Sequence, residues 1–157
     1  MIPDARSAVT SVAATVAASN PASADSATIN IHAASSYSGT LTGLTIPVSW
    51  TSVALTMKRK TAHADSKAVL QIIKTNGGDV GDGLTILNGS TSTTKADASL
   101  SVNQGAGSIA VTIADAATAA LAVESYRYDV KVYYGDSDSV ATAEATANVT
   151  SAVTLAT

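Results

Sequence analysis

Between Tyr126 and Tyr134 the chain alternates without a slip. Tyr126, Tyr128, Val130, Val132 and Tyr134 fall on one side, and Arg127, Asp129, Lys131 and Tyr133 on the other. Successive side chains on a strand point to opposite faces, so this spacing predicts a strand with one buried and one wet face. Four of the five tyrosines lie in these nine residues, and there is no phenylalanine. In a chain so poor in aromatic rings, this strand is the expected anchor of the core.

The segment that follows is its natural partner. Gly135-Asp136-Ser137-Asp138 reads as a turn, and Ser139 to Val149 then alternates again, with Ala141, Ala143, Ala145 and Ala147 sharing one face. An alanine face leaves room for the rings of Tyr126 and Tyr128. Upstream, period-two segments recur. Ala27 to Ala33 is an expected strand, Ser35 to Gly39 a loop, and Leu41 to Ile46 an irregular strand stopped by Pro47. Ser52 to Lys60, Ala68 to Lys74 and Leu84 to Leu87 are further expected strands, the last closed by the Asn88-Gly89 turn. Ser99 to Asn103 and Ser108 to Ile113 make a hairpin about Gln104-Gly105-Ala106-Gly107.

Two helices are expected beside these strands. One is short, Asp115 to Leu121, directly before the Tyr126 strand. The other is N-terminal, Pro3 to Ala18. There Pro3 suits a first turn, Asp4 faces the positive end of the dipole, and Val9, Val12 and Val16 form a stripe at helical spacing. That stripe is a candidate protein interface. Residues 1–25 are therefore expected to be a helical arm, 26–149 one β-sandwich domain and 150–157 a C-terminal tail. Short strands with frequent turn signals and few helices between them predict a mainly β, antiparallel sandwich.

Composition narrows the function. Charged residues are 13% of the chain, about half the usual share, and mean hydropathy is positive. A surface this bland suits a subunit whose faces are covered by neighbours. A net charge of −3 argues against nucleic acid, since the basic run Lys58-Arg59-Lys60 is too small for a phosphate-binding stripe. No window approaches the roughly 18 apolar residues of a spanning helix, so no membrane partner is expected. Cysteine is absent, which removes disulfides, thiolate metal sites and thiol nucleophiles.

No residue set declares catalysis, and the chain is expected not to be an enzyme and to need no cofactor. His63-Ala64-Asp65-Ser66 holds imidazole, carboxylate and hydroxyl, but a triad needs base and nucleophile on separate, fixed elements. Asp79-Val80-Gly81-Asp82-Gly83 and Gly135 to Ser139 could offer carboxylates to calcium. Both lack the EF-hand pattern and its closing Glu, so both read as turns. Glu124 and Glu144 have no evident partner in the sequence. Trp50 could stack on a sugar, as in a carbohydrate-binding or adhesion module, but such modules present several aromatics, and core packing is the expectation for Trp50.

Five segments in order carry a family likeness: Leu44 to Trp50, Asp82 to Gly89, Asp97 to Val102, Ala116 to Leu121, and Tyr126-x-Tyr-Asp-Val-Lys-Val. Together they resemble small immunoglobulin-like β-sandwich modules of tailed-bacteriophage virions. These include the N-terminal domain of upper-baseplate proteins and stand-alone structural proteins. The resemblance spans roughly Ser26 to Val149 and departs from the pattern in the Ala-rich N-terminus and in the lack of a receptor-binding segment after the sandwich. It implies a non-enzymatic virion subunit that is a homo-oligomer, with a trimer favoured. Its implied partners are other virion proteins, either the major capsid protein, as capsid cement, or tail and baseplate proteins.

Overall fold

A computed structural model describes residues 11–12, 15–17, 28–60, 63–135, 138–142 and 144–151. The described chain is mainly β. Its strands run β1 Ser11–Val12, β2 Thr15–Ala17, β3 Ile29–His32, β4 Tyr37–Thr42, β5 Trp50–Lys58 and β6 Leu70–Thr75. They continue with β7 Gly83–Leu87, β8 Ser90–Thr91, β9 Ala98–Asn103, β10 Ser108–Ile113, β11 Ser125–Tyr134, β12 Asp138–Thr142 and β13 Ala145–Thr150. One α-helix, α1 Asp115–Ala119, lies between β10 and β11.

Two sheets form. The larger has nine strands along the path β1-β12-β11-β5-β6-β7-β8, with β13 also on β11 and β3 on β13. The smaller has four, in the order β2-β4-β10-β9. β11 is the axis of the larger sheet. One edge of β11 pairs with β5 from Arg127↔Lys58 to Tyr134↔Trp50, and the other is shared by β12 and β13. Most ladders are antiparallel, as expected, but β1–β12 and β3–β13 are parallel. Parallel neighbours need a long connection, and in each pair most of the chain separates the two strands.

At the end of β11 the register against β5 shifts between Tyr133 and Tyr134, and both of these tyrosines are half-buried. The alternation holds from Tyr126 to Val132, where Tyr126, Tyr128, Val130 and Val132 are buried and Arg127 is exposed. Their faces meet Ile29, Ile31, Leu55, Met57, Ile72, Ala147 and Val149 of the larger sheet and Tyr37, Leu41, Leu100, Ile109, Val111 and Ile113 of the smaller in one hydrophobic cluster. A void of only about 10 Å³ remains where Tyr128, Tyr37, Val111 and Met57 meet. That is at the lower limit for one water, so the faces interlock at the density of a protein interior.

The alanine partner is real but divided. Ala147 faces Tyr126 and Ala145 faces Tyr128, whereas Ala141 pairs with Lys131. Between these pairs the returning chain spends four residues where β11 spends three. The register of β11 against the returning chain therefore differs by one residue between the β12 and β13 ladders.

The N-terminal helix is corrected where residues are described. Ser11–Val12 and Thr15–Ala17 are strands, Val12 paired with Thr142 and Val16 with Leu41. β-Branched Val and Thr favour extended backbone, and edge pairing overrides the alanine propensity. The rest of the 1–25 arm lies outside the described residues, as do 152–157 of the expected tail. Thr150, placed at the start of that tail, ends β13 beside His32. The expected loop at Ser35–Gly39 is also shorter: β4 begins at Tyr37, whose ring lies over Gly39. A Cβ on Gly39 would overlap the Tyr37 ring, so this glycine makes room inside a strand instead of making a turn. Leu44 and Ile46 are buried but not in a strand.

Candidate interaction surface

The outer faces of the two sheets differ in chemistry. On the larger sheet, the wet side of β11 closes on itself electrostatically. Arg127 donates from Nε to Glu144 at 2.7 Å and from a terminal nitrogen to Thr146 at 2.8 Å. Lys58, beside Arg127 in register, pairs with Asp65 at 2.5 Å and donates to the His63 carbonyl at 2.8 Å. Arg59 binds Glu124 at 3.1 Å and lies 5.8 Å from the centre of the Tyr126 ring. Lys58 and Arg59 of the basic run are thus engaged internally while Lys60 is exposed, and Glu124 and Glu144 have partners that sequence spacing hid. Asp129 sits among these charges half-buried. Desolvation pushes its carboxyl above the usual range, against the pull of Lys58 and Lys131.

The outer face of the smaller sheet carries no charge at its central positions. Its cross-strand rows read Ser38–Thr112–Ser99 and Thr40–Ala110–Ser101. All six are exposed or half-exposed. Within the first row Ser99 and Thr112 share a hydrogen bond of 2.5 Å. Short hydroxyl side chains on a regular sheet make a flat, weakly hydrated surface, and burying it against a neighbour strands no charge. The signal was in the sequence: Ser99-x-Ser101-x-Asn103 and Ser108-x-Ala110-x-Thr112 alternate polar-out with no charged residue.

This sheet also has an open side. Among the described residues β9 pairs only with β10, and its far edge looks across a cleft of about 370 Å³ towards Ile73, Lys74, Asp82 and Gly83. Asp82 builds the opposite wall. Its Oδ1 accepts the Thr75 N–H at 2.9 Å, and its Oδ2 accepts the Asp79 N–H at 3.1 Å and the Lys74 ammonium at 3.5 Å. Burial alone would raise its pKa, but these hydrogen bonds together outweigh it and hold the carboxyl below its usual range. Asp79 accepts the Gly81 N–H at 2.7 Å. Both carboxylates of this candidate calcium loop are therefore spent on turn geometry.

The remaining sequence candidates are placed as follows. Val12 and Val16 lie on edge strands of different sheets and share no helical stripe, and Val9 lies outside the described residues. Asp65, from the His63–Ser66 group, is engaged by Lys58, and Ser66 is exposed. Trp50 is buried at 9% exposure in the core cluster and offers no ring to a sugar. Tyr37, Tyr126 and Tyr128 have phenols that burial pushes up, so they stay neutral at physiological pH. Among the described residues no three His, Asp or Glu side chains cluster as a metal site, and no helix is long and apolar enough to cross a membrane. No protein-family profile and no curated protein matches the chain.

Proposed function

We propose that this chain is a non-enzymatic structural subunit, an immunoglobulin-like β-sandwich that assembles with neighbouring proteins in a tailed-bacteriophage virion. The observation that carries the assembly reading is the contrast between the two outer faces. The larger sheet interleaves charges and pairs Arg127 with Glu144 and Lys58 with Asp65, while the smaller presents an uncharged hydroxyl surface bordered by an open strand edge. A surface meant for bulk water would interleave charges there, as the larger sheet does. The placement in a virion, as capsid decoration or as a tail or baseplate component, comes from the ordered strand-and-turn resemblance between Ser26 and Val149. Its partners in this reading are the major capsid protein or tail proteins, with a trimer of this chain as the building block.

Mass spectrometry of purified phage particles from a source that encodes the sequence tests the placement. The reading expects the chain in fixed stoichiometry with the capsid or tail proteins, surviving a high-salt wash because the interface is uncharged. Particles that lack the chain would overturn it.

A further inference from the structure

We infer that the cleft beside β9 receives an extended acidic segment of a partner protein, which adds a strand to β9 and is held by Lys74 and Lys95. This rests on the reading of the smaller sheet as an assembly surface and adds to it what the partner presents. The edge strands are unequal in a way that selects β9. β1 and β8 have two residues each, β2 three and β3 four, whereas β9 has six. Short edges resist added strands, and proline, charge or a bulge on the edge blocks them. β9, Ala98-Ser99-Leu100-Ser101-Val102-Asn103, has no proline or charge and keeps unbroken register with β10. At its start the Ala98 carbonyl lies against Gly83, and from Leu100 onward the outward N–H and C=O groups are a template for strand addition.

The cleft supplies the second half of the recognition. Ala98, Ser99 and Leu100 form one wall, and Lys95 and Ala96 lead into it from below. Its volume of about 370 Å³ lies at the small end of the 300–1,000 Å³ usual for ligand sites, which suits a few residues of extended chain. Lys74 shares Asp82 with two backbone N–H groups, and Lys95 has no carboxylate in ion-pairing range among the described residues. Two ammonium groups and one committed carboxylate leave the cleft positive. Lysines that merely protect an edge sit on the edge strand itself. Here Lys95 stands on a 3₁₀ turn, Lys95–Asp97, that leads into β9, and Lys74 stands on β6 across the cleft, where a carboxylate of the added strand would meet them.

The probes are the peptide acetyl-Glu-Thr-Val-Thr-Val-Thr-Glu-amide and its counterpart with both Glu replaced by Gln. Affinity is read by fluorescence anisotropy and location by amide hydrogen exchange. The acidic probe is expected to slow exchange across Ala98–Asn103 and to bind about tenfold more tightly than the Gln probe. Lys95→Gln should remove that tenfold preference, and Lys95→Arg, which keeps the charge, should retain it. Equal binding of the two probes, or protection confined to other strands, overturns the inference. Sedimentation of the unliganded chain separates the two ideas. Assembly without protection of β9 by the acidic probe refutes the acidic segment alone, whereas a monomer that binds the probe refutes the assembly surface alone.

Discussion

Removing the same oxygen from two tyrosines of one strand should have opposite effects. Tyr126 is fully buried, and its hydroxyl donates to the Ala122 carbonyl at 2.7 Å. Tyr134, eight residues on, has a buried hydroxyl with no hydrogen-bond partner among the described residues. Tyr126→Phe deletes a made bond. Ala122 is exposed, so water can reach the orphaned carbonyl, and the cost should stay near about 1 kcal/mol instead of the ~3 kcal/mol of a dry unpaired group. For a domain of this size, about 1 kcal/mol corresponds to roughly 2–4 °C in Tm. Tyr134→Phe removes a group whose desolvation is uncompensated, so it should be neutral or stabilise by up to ~1 kcal/mol. Urea unfolding followed by the fluorescence of Trp50, the only tryptophan and one buried in the core, reads both changes at constant slope. A Tyr126→Phe variant as stable as wild type, or a Tyr134→Phe variant destabilised by more than about 0.5 kcal/mol, would refute this assignment of hydrogen bonds.

Gly83→Ala should be far more damaging. Gly83 has φ +111° and its added Cβ would overlap the Lys95 carbonyl, so strain and overlap together should cost about 3 kcal/mol or more in the same urea experiment. The two perturbed aspartates predict opposite pH signatures in the urea midpoint. Asp82, held low in the fold, contributes stability that is full above its unfolded pKa and is lost as pH falls through its folded value. Asp82→Asn should therefore be weaker than wild type near neutrality, and the gap should close in acid. Asp129, held high, destabilises the fold once ionised. Asp129→Asn should gain on wild type as pH rises from the ordinary carboxylate range through the raised folded value. A gap that is independent of pH in either variant would contradict the assigned environment.

What the sequence discloses and what it hides follow from the range of the forces involved. The β11 strand was legible because strict alternation over nine residues fits a half-buried strand and little else. The hairpin at Gln104–Gly107 and the Asn88-Gly89 turn were legible for a local reason as well: Asn88 and Gly89 both take positive φ, as that pair predicts. The one-residue difference in register between the β12 and β13 ladders was hidden because Ala141 to Ala147 alternates evenly, and such a slip leaves no mark on composition. The segment around Val12 and Val16 balanced alanine propensity against β-branching. Its strand partners, Thr142 and Leu41, are far away in sequence and decided the balance. Gly39 looked like a turn because the ring it accommodates could not be seen. The surface was half legible. The uncharged alternation of β9 and β10 is plain in the sequence, but the ion pairs that close the opposite face join residues 17 and 65 positions apart, as in Arg127–Glu144 and Arg59–Glu124.

The assembly surface has one decisive position. Ala110 sits at the centre of the smaller sheet's outer face, between Thr40 and Ser101. Sedimentation equilibrium of the wild-type chain and of Ala110→Lys at micromolar concentration tests the account directly. The account predicts a discrete oligomer for the wild type and a folded monomer for Ala110→Lys, because the new ammonium would be buried without a partner. A wild-type monomer, or an oligomer indifferent to the lysine, would contradict it.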